Sequence, residues 1–475
     1  MRKPHIVILG AGPAGVGAAY RLRREDRARV TVIEQQAVVG GNAGSFDAGG
    51  QRLDYGSHRL HPSCDPAILA DIRTLLGDDL LNRPRHGRIR LRGKWIHFPL
   101  APLDLLLKLD RKFAVRALRD MTIGRVTRRA RQADDTFASV LLASLGPTIC
   151  EEFYFPYARK IWGLEPDELS GIQARRRVSA GSFGKLIRKV FSGIPGIRSK
   201  STGRFFYPRR GYGQISEAYA RAAHELGAEF LMQTRVISIR RSEGADAGWN
   251  LTAIRNDGSV AMEADQVWST IPITLLSRLI GPEPDPAVLD AAGGIKYRAM
   301  LLIYLGVPTD RFTEYDAHYF PGADVVITRL SEPKNYSASD EPRGRTTLCA
   351  ELPCSVDDHW WNMSDAALGE LVASDLDRAG IPLPAEPVAV HVKRLRHAYP
   401  IYESGYEAPL ETLDSWAESL PDLLTYGRQG LFAHDNTHHA LFMAYSAVDC
   451  LAEGVFDRAK WRDYRRVFAT HVVED

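Results

Sequence analysis

The length and composition of the chain are those of a globular protein with more than one domain. Its 475 residues are 45% hydrophobic and 25% charged, and 61 basic against 58 acidic side chains leave a net charge of +3. This near balance argues against nucleic acid as a partner, and the sequence contains no nucleic-acid recognition module.

Cysteine usage and hydropathy bear on the cellular compartment. Five scattered cysteines without paired ligand spacing predict reduced thiols rather than disulfides or a metal site. The first apolar run starts at His5, which leaves no room for a signal peptide, and no apolar run approaches the ~20 residues of a membrane span. We therefore expect a cytoplasmic protein.

The first 46 residues organise the rest of the chain. An apolar run at 5–9 breaks into Gly10-Ala11-Gly12-Pro13-Ala14-Gly15, a helical pattern follows, and a second apolar run at 30–33 ends in Glu34. In such a unit the first glycine permits a tight turn, the second lets backbone approach a pyrophosphate, and the third lets helix and strand pack. Glu34 follows at about 20 residues, where a carboxylate binds a ribose diol. The stretch predicts a dinucleotide site.

A second glycine pair follows in Val39-Gly40-Gly41-Asn42. It either forms a surface turn or brings backbone close to the same ligand. The order of glycine turn, Glu34 and Gly-Gly-Asn resembles the start of the amine-oxidase and protoporphyrinogen-oxidase group of flavoenzymes, and Asn42 is similar to an asparagine of the UDP-galactopyranose mutases. The resemblance implies FAD, bound by Gly10, Gly12, Ala14, Gly15, Glu34, Gly41 and Asn42.

Two histidines three residues apart, His58 and His61, lie in a glycine-broken extended stretch. Such histidines are often structural, and without a third ligand at a usable spacing they predict no metal site. The segment resembles the Gly-x-His-x-x-His segment that lies against the flavin in the mutase family. The resemblance implies that both histidines shape the flavin face and act in catalysis.

Residues 65–204 predict a mainly helical insertion that covers the cofactor domain. Amphipathic patterns predict helices over 65–81, 103–131 and 137–162, and alternating apolar and basic residues predict a hairpin over 87–99. We expect this insertion to form part of the substrate site.

Aromatic residues cluster in the insertion between 153 and 163. Aromatic residues on a helix usually pack in a core, but Tyr-x-x-Lys-x-Trp-Gly at 157–163 is similar to the mutase segment that lines the nucleotide-sugar pocket. The resemblance implies substrate contacts by Tyr157, Arg159 and Trp162. Ile161 stands where the mutases tend to carry Gln, which is a departure from their pattern.

A basic segment follows, with eleven Lys or Arg and no acid between 175 and 210. Apolar residues interrupt it, as in an amphipathic element. Three interpretations stay open: a solvated charged face, attraction of a diphosphate-bearing substrate, and contact with an anionic membrane surface.

Later segments return to the cofactor domain. Tyr207-Pro208 with Gly211 and Gly213 resembles a Tyr-Pro-x-x-Gly-x-Gly segment of the flavin oxidase group, and the end of a predicted strand at 266–272 resembles its return strand. We expect a discontinuous FAD-binding domain at 1–64, 205–275 and 421–460, with a C-terminal tail at 461–475. Val236 lies on a predicted strand, and we expect it to contact the cofactor.

Residues 276–420 predict an antiparallel sheet that forms the substrate domain. Thr328-Arg329 resembles the step that, in the mutases, provides an arginine near the flavin and the substrate diphosphate. Arginine suits this role because its planar fork binds phosphate oxygens in pairs. Tyr399-Pro400 resembles the mutase Tyr-Pro segment, whose tyrosine binds a phosphate, so the resemblance assigns both catalysis and substrate binding to Arg329 and Tyr399.

The last cofactor segment starts at Tyr426-Gly427-Arg428 and reaches a helix predicted to begin near His438. Helix N-terminal amides would then meet the flavin ring or ribityl chain. The order matches the end of the mutase family, which implies cofactor contacts by Gly427, Arg428, Asn436 and Thr437. His434 differs from the family, which often has Tyr there.

The sequence thus predicts an α/β fold: a Rossmann-like FAD-binding domain with a helical insertion and an antiparallel-sheet substrate domain. The resemblance implies chemistry on an activated, nucleotide-diphosphate sugar, with flavin reduced by NAD(P)H as the covalent catalyst. A net-redox oxidase, dehydrogenase or desaturase of a metabolite or lipid-linked substrate is the alternative, and a non-catalytic FAD protein is a third class. A small-molecule substrate is expected, and a homodimer and peripheral membrane contact stay open.

Overall fold

The computed structural model describes residues 3–98, 135–177, 203–242, 248–256 and 258–473, together with 108, 112, 113, 115, 116, 119 and 120. Most of the helix predicted over 103–131, and residues 178–202 of the basic segment, lie outside the described residues. Within the described ranges, none of the helices has the length and apolar character needed to cross a membrane.

The described strands follow the order of the chain. They are β1 His5–Leu9, β2 Arg29–Ile33, β3 Ser45–Ala48, β4 Gln51–Asp54, β5 Leu80–Pro84, β6 Gly87–Leu91, β7 Lys94–Phe98, β8 Arg204–Pro208, β9 Glu229–Leu231, β10 Thr234–Arg241, β11 Trp249–Arg255, β12 Gly258–Ala264, β13 Gln266–Ser269, β14 Ile280–Gly281, β15 Lys296–Val307, β16 Ala317–Tyr319, β17 Arg329–Ser331, β18 Thr346–Cys354, β19 Ala389–Ile401, β20 Leu423–Thr425, β21 Leu451–Ala452 and β22 Val455–Phe456.

The described helices are α1 Pro13–Arg24, α2 Pro66–Leu76, α3 Phe137–Leu145, α4 Pro147–Ile149, α5 Phe155–Trp162, α6 Gly171–Arg177, α7 Gln214–Glu225, α8 Ile273–Leu279, α9 Pro286–Gly294, α10 Pro333–Ser337, α11 His359–Asn362, α12 Asp365–Arg378, α13 Glu407–Ser419, α14 Gly427–Gly430, α15 Thr437–Asp449 and α16 Arg458–Phe468. Single helical turns lie at Gly41–Ala43 and Gly77–Asp79, and a wider turn lies at Cys150–Tyr154.

A five-stranded parallel sheet with the order β20-β13-β1-β2-β9 forms the cofactor side of the molecule. Both faces of β1 are covered, which explains its unbroken apolar sequence. Ile6 and Ile8 pack in the core that contains α1, α7 and α15, while Val7 and Leu9 pack against the four-stranded sheet β12-β11-β10-β14. The carboxyl ends of β1 and β2 therefore meet at one edge, where the glycine turn and Glu34 lie.

A seven-stranded sheet, β19-β15-β18-β17-β16-β6-β7, forms the second half of the molecule. Its pairs are antiparallel except that β16 runs parallel to β6. The hairpin predicted over 87–99 is confirmed as β6 and β7, and it extends this sheet. The mixed α/β fold class predicted from the sequence is therefore confirmed, whereas the four domain boundaries stay a prediction.

The helical pattern predicted over 137–162 is divided in the structure into α3, α4, the wide turn and α5. Gly146 adopts φ +82°, which ends α3, and Pro147 starts α4. The pieces pack together around Leu141, Cys150 and Trp162, and Ile401 of β19 joins this cluster. All five cysteines are buried and unpaired.

Candidate functional site

The glycine turn after β1 borders an open space. Gly10 has φ +96°, and a Cβ added at Gly15 would lie 1.9 Å from the Gly10 carbonyl oxygen, so close packing requires glycine there. At Gly12, by contrast, no described atom lies within 4 Å of an added Cβ. Gly12 also precedes α1 without a side-chain cap among the described residues, so the first amides of α1 face this space. Such a helix start fits a pyrophosphate.

Glu34 is held at the end of β2 by two backbone amides. Ala11 N donates to Glu34 Oε2 at 2.8 Å, and Gln36 N donates to Oε1 at 2.9 Å. A carboxylate has about four lone-pair sites, so it can still accept hydrogen bonds from a ribose diol. Val236 lies partly buried against the cluster that contains Ile33 at the end of the same strand.

The second glycine loop lies against the first. Gly40 N donates to Ala11 O at 2.8 Å, and a Cβ added at Gly41 would lie 3.5 Å from Gly12 Cα. Asn42 Nδ2 donates to His397 O at 2.9 Å, which connects this loop to β19. Gly41 and Gly12 therefore border the same space, and the residues present fit a dinucleotide.

The segment after β20 closes another side of this region. A Cβ added at Gly427 would lie 2.8 Å from the Ala14 Cβ, which places the segment on the first turn of α1. Arg428 donates to Ala398 O at 2.7 Å and to Asp435 O at 3.1 Å. These bonds fix β19 relative to the start of α15.

The start of α15 is capped locally. Asn436 is the N-cap residue of α15 and forms a reciprocal cap with His439. Thr437 hydrogen-bonds the hydroxyl of Tyr212, whose pKa is raised by burial. The helix start is thereby placed next to the segment that follows β8.

The two predicted histidines have different surroundings. His58 Nε2 lies 2.9 Å from Tyr55 O, and its ring stacks on Tyr212 at 5.2 Å and 28°. Burial lowers the pKa of His58, so the neutral imidazole prevails at pH 7. His61 instead places Nδ1 2.7 Å from Ser63 Oγ. The structure therefore places His58 at the Tyr212 contact and gives His61 a different neighbour, Ser63.

Arg329 forms a buried ion pair. Its Nη2 lies 2.7 Å from Glu351 Oε2, and the side chains of Arg329 and Glu351 are 13% and 5% exposed. Ser57 N donates to Glu351 Oε1 at 2.8 Å, which joins the pair to the stretch that carries His58. Although burial opposes the charge on Arg329, Glu351 raises the pKa of Arg329, so the guanidinium stays protonated.

Tyr399 connects the ion pair to an aromatic group. Tyr399 contributes to the raised pKa of Arg329, and its ring lies under the Arg428 guanidinium at 5.1 Å. Trp162 meets the Tyr399 ring edge-to-face at 5.8 Å and the His434 ring at 5.0 Å. The structure thus brings together four predicted residues, namely Trp162, Arg329, Tyr399 and Arg428.

The other predicted substrate contacts on α5 have local partners. Arg159 Nε lies 2.8 Å from Glu165 Oε2, and the Tyr157 ring lies 6.0 Å from the Phe153 ring. Lys160 donates to the carbonyl oxygens of Phe320, Gly322 and Ile327, and burial lowers its pKa to about 7. The described contacts do not join Arg159 or Tyr157 to the Arg329 group.

Sequence reasoning missed Glu351 and Asp54. Glu351 is an acid inside the otherwise uncharged, fully buried strand β18, a pattern that requires a buried cationic or hydrogen-bonding partner. Asp54 accepts hydrogen bonds from Ser45 Oγ, Tyr207 and the Tyr212 amide, and burial raises its pKa. A single acid at the end of β4 gives no comparable signal in the sequence.

The parallel sheet, the paired glycine loops and the fixed Glu34 define a dinucleotide-dependent enzyme. The family model of flavin containing amine oxidoreductases matches residues 13–445. The chain therefore belongs to this family and is an FAD-dependent enzyme. Both the family resemblance and the FAD cofactor predicted from the sequence are confirmed.

Individual relatives have different activities. The chain is 24% identical to protoporphyrinogen oxidase 1, chloroplastic, of Arabidopsis thaliana, over 95% of this chain and 87% of that protein. It is 26% identical to the all-trans-zeta-carotene desaturase of Myxococcus xanthus, over 83% and 80% of the two chains. The crystal structure of a reduced UDP-galactopyranose mutase superposes with a TM-score of 0.80 at 22% identity, covering 99% of this chain and 100% of that one. At 22% identity, the similarity to the mutase structure shows that the two chains share a fold.

Proposed function

We propose that the protein acts on a nucleotide-diphosphate sugar as a mutase-like enzyme. The supporting observation is the grouping of Tyr399 with Arg329, whose pKa Tyr399 helps to raise, and with Trp162, whose ring it meets edge-to-face at 5.8 Å. A cation next to a hydroxyl group suits a diphosphate, and a neighbouring indole suits a sugar or base ring. When bound and reduced, FAD would supply the nucleophile for the anomeric carbon.

The protein's own residues then bind and orient the substrate. Arg329 offsets the charge that develops on the departing diphosphate, and Tyr399 donates a hydrogen bond to it. Glu351 keeps the Arg329 guanidinium in one orientation. His58, neutral and stacked on Tyr212, shapes the flavin face, while Gly12, Gly41 and the start of α15 hold the cofactor.

Turnover under anaerobic conditions tests the proposal. With UDP-galactopyranose as substrate, we expect interconversion of ring forms only after reduction by dithionite or NADPH, with no net consumption of reductant per turnover. A chemically identical reaction with oxidised enzyme, or stoichiometric use of reductant, would contradict the proposal. Enzyme with FAD removed serves as the control.

A second candidate is a net-redox oxidase or desaturase of an uncharged metabolite. The Arg329–Glu351 pair favours it, because the cation proposed for the diphosphate is already balanced inside the protein. Arg159 is likewise paired, with Glu165. In this case substrate alone should bleach the oxidised flavin in the absence of air, which a mutase substrate would not do.

Tyr399→Phe is expected to weaken the binding of UDP by about 0.5–1.5 kcal/mol, because one hydrogen bond to the diphosphate is lost. Isothermal titration calorimetry on the FAD-loaded protein measures the change. Tyr464→Phe, on α16, removes a hydroxyl that bonds Asp449 and should leave UDP affinity unchanged. Equal UDP affinity of the Tyr399→Phe variant and the parent protein would remove Tyr399 from the substrate site.

We also propose the predicted domain boundaries, a cytoplasmic location, an NAD(P)H-dependent reduction and a small-molecule partner of sugar-nucleotide type. Within the basic segment, Arg175 pairs with Asp135 and Arg176 donates to the Tyr402 hydroxyl. Both arginines therefore have partners within the protein, but the Arg175 side chain is 50% exposed, so it is still accessible to a membrane surface.

A further inference from the structure

A second cluster of titratable side chains lies beside the start of α15. Asp435, His439 and His471 each present one ligand atom, and the three atoms lie within 4.8 Å of one another. Asp435 Oδ1 is 3.3 Å from His439 Nδ1 and 3.2 Å from His471 Nδ1. Because His471 follows α16, the cluster joins the C-terminal tail to α15.

The two separations from Asp435 Oδ1 match the edge of a tetrahedral metal site. Zinc lies about 2.0–2.2 Å from imidazole nitrogen and carboxylate oxygen, so neighbouring ligand atoms on a tetrahedral ion are about 3.3–3.5 Å apart. The two distances from Asp435 Oδ1 therefore need little adjustment. Two nitrogen donors with one oxygen donor suit zinc-type ions better than magnesium or calcium, which prefer oxygen ligands alone.

The carboxylate of Asp435 is incompletely satisfied. Its side chain is fully buried, and Oδ2 has no hydrogen-bond partner in the part of the chain that the structure describes. Phe442 and Phe468 pack against His471, so the surroundings are apolar on that side. A buried carboxylate in such a place requires a compensating cation.

Hydrogen bonding within the cluster does not provide this compensation completely. The Asn436 amide faces His439 Nδ1 at 3.2 Å, which requires a lone pair, not a proton, on that nitrogen. With a lone pair there, His439 Nδ1 cannot donate to Asp435. The His439 and His471 rings also stack at 4.2 Å.

We propose that Asp435, His439 and His471 bind one divalent transition cation of the zinc type, with a water molecule as the remaining ligand. The ion neutralises the buried carboxylate. It also binds the lone pair of His439 Nδ1, which replaces the hydrogen bond that this nitrogen accepts from the Asn436 amide. It fastens the C-terminal tail to the start of α15, the helix proposed to meet the flavin. The proposal is independent of the substrate.

Metal titration of the full-length, FAD-loaded protein tests the site. After chelator treatment, we expect one equivalent of Zn²⁺ to bind, and Co²⁺ to give the visible absorption of a tetrahedral ion. His471→Gln should weaken Zn²⁺ binding by more than the roughly 10- to 100-fold that loss of an outer-shell partner costs, because one of three protein ligands is lost. Zn²⁺ should raise the Tm of the parent protein but not that of this variant.

His391→Gln is the matched control, because His391 is exposed on β19 and should leave Zn²⁺ affinity unchanged. FAD content should stay constant in both variants, which separates this site from the cofactor site. Absence of Zn²⁺ binding to the parent protein, or equal affinity in His471→Gln, would overturn the proposal. The cluster would then be a hydrogen-bonded ion pair only.

Discussion

Gly12→Val is expected to give a folded protein that retains no FAD. The backbone of Gly12 is extended, with φ −70° and ψ 177°, a conformation that valine adopts without strain. The side chain also enters space in which no described atom lies within 4 Å of Cβ. The fold therefore tolerates valine, whereas a pyrophosphate approaching the first amides of α1 does not.

The flavin absorbance of the purified variant, relative to protein, measures this loss, and circular dichroism checks the fold. A lower Tm is also expected, because bound FAD stabilises the native state by linkage. Gly293→Val is the matched control: Gly293 also has open space around its Cβ among the described atoms, but it lies on α9. Stoichiometric FAD in Gly12→Val would contradict the cofactor-binding role of the glycine turn.

Gly15→Ala distinguishes packing from ligand contact in the same turn. An added Cβ would lie 1.9 Å from the Gly10 carbonyl oxygen, so the backbone of β1 and α1 must separate. We expect this variant to lose folding stability as well as FAD, unlike Gly12→Val. Urea unfolding of the two variants shows the difference, and an equally stable Gly15→Ala would argue against the close packing.

The sequence was sufficient to predict features that local chemistry determines. Gly10 and Gly15 predict a turn that other residues cannot form, and the apolar run at 5–9 predicts a strand that is covered on both faces. The helix α15 begins within one residue of the position expected from the sequence. Each of these follows from neighbouring residues alone. The β6–β7 hairpin could also be predicted from neighbouring residues, but the larger sheet that it joins could not.

Features that depend on pairing between distant strands could not be predicted. Arg329 meets Glu351 because β17 and β18 pair in a register that sets them opposite each other. Nothing near Arg329 in the sequence specifies that register. For the same reason the parallel pairing of β16 with β6 was missed. The cluster of Asp435 with His471 likewise requires knowledge of where the tail returns.

Glu351→Ala is expected to lower the free energy of unfolding by about 3–5 kcal/mol, because it leaves the Arg329 guanidinium buried without its partner. Urea unfolding measures the change. Glu418→Ala is a suitable control, since it removes an exposed ion pair with Arg462, whose side chain is 62% exposed, and should cost less than about 1 kcal/mol.

A double-mutant cycle tests the physical reason. Arg329→Met combined with Glu351→Ala should destabilise the protein less than the sum of Arg329→Met and Glu351→Ala, because no charge is then left unpaired. If the double variant is as unstable as the sum of the single variants, the loss comes from packing and not from the charge on Arg329.

The milder Glu351→Gln variant separates the two candidate functions. It keeps the shape of the side chain and an oxygen that can accept the Ser57 amide, but it no longer balances the Arg329 charge. If Arg329 binds the substrate diphosphate, the affinity for UDP should rise in this variant, because an unbalanced cation attracts an anion more strongly. An unchanged UDP affinity would favour an uncharged substrate, since Arg329 would then serve only to stabilise the fold.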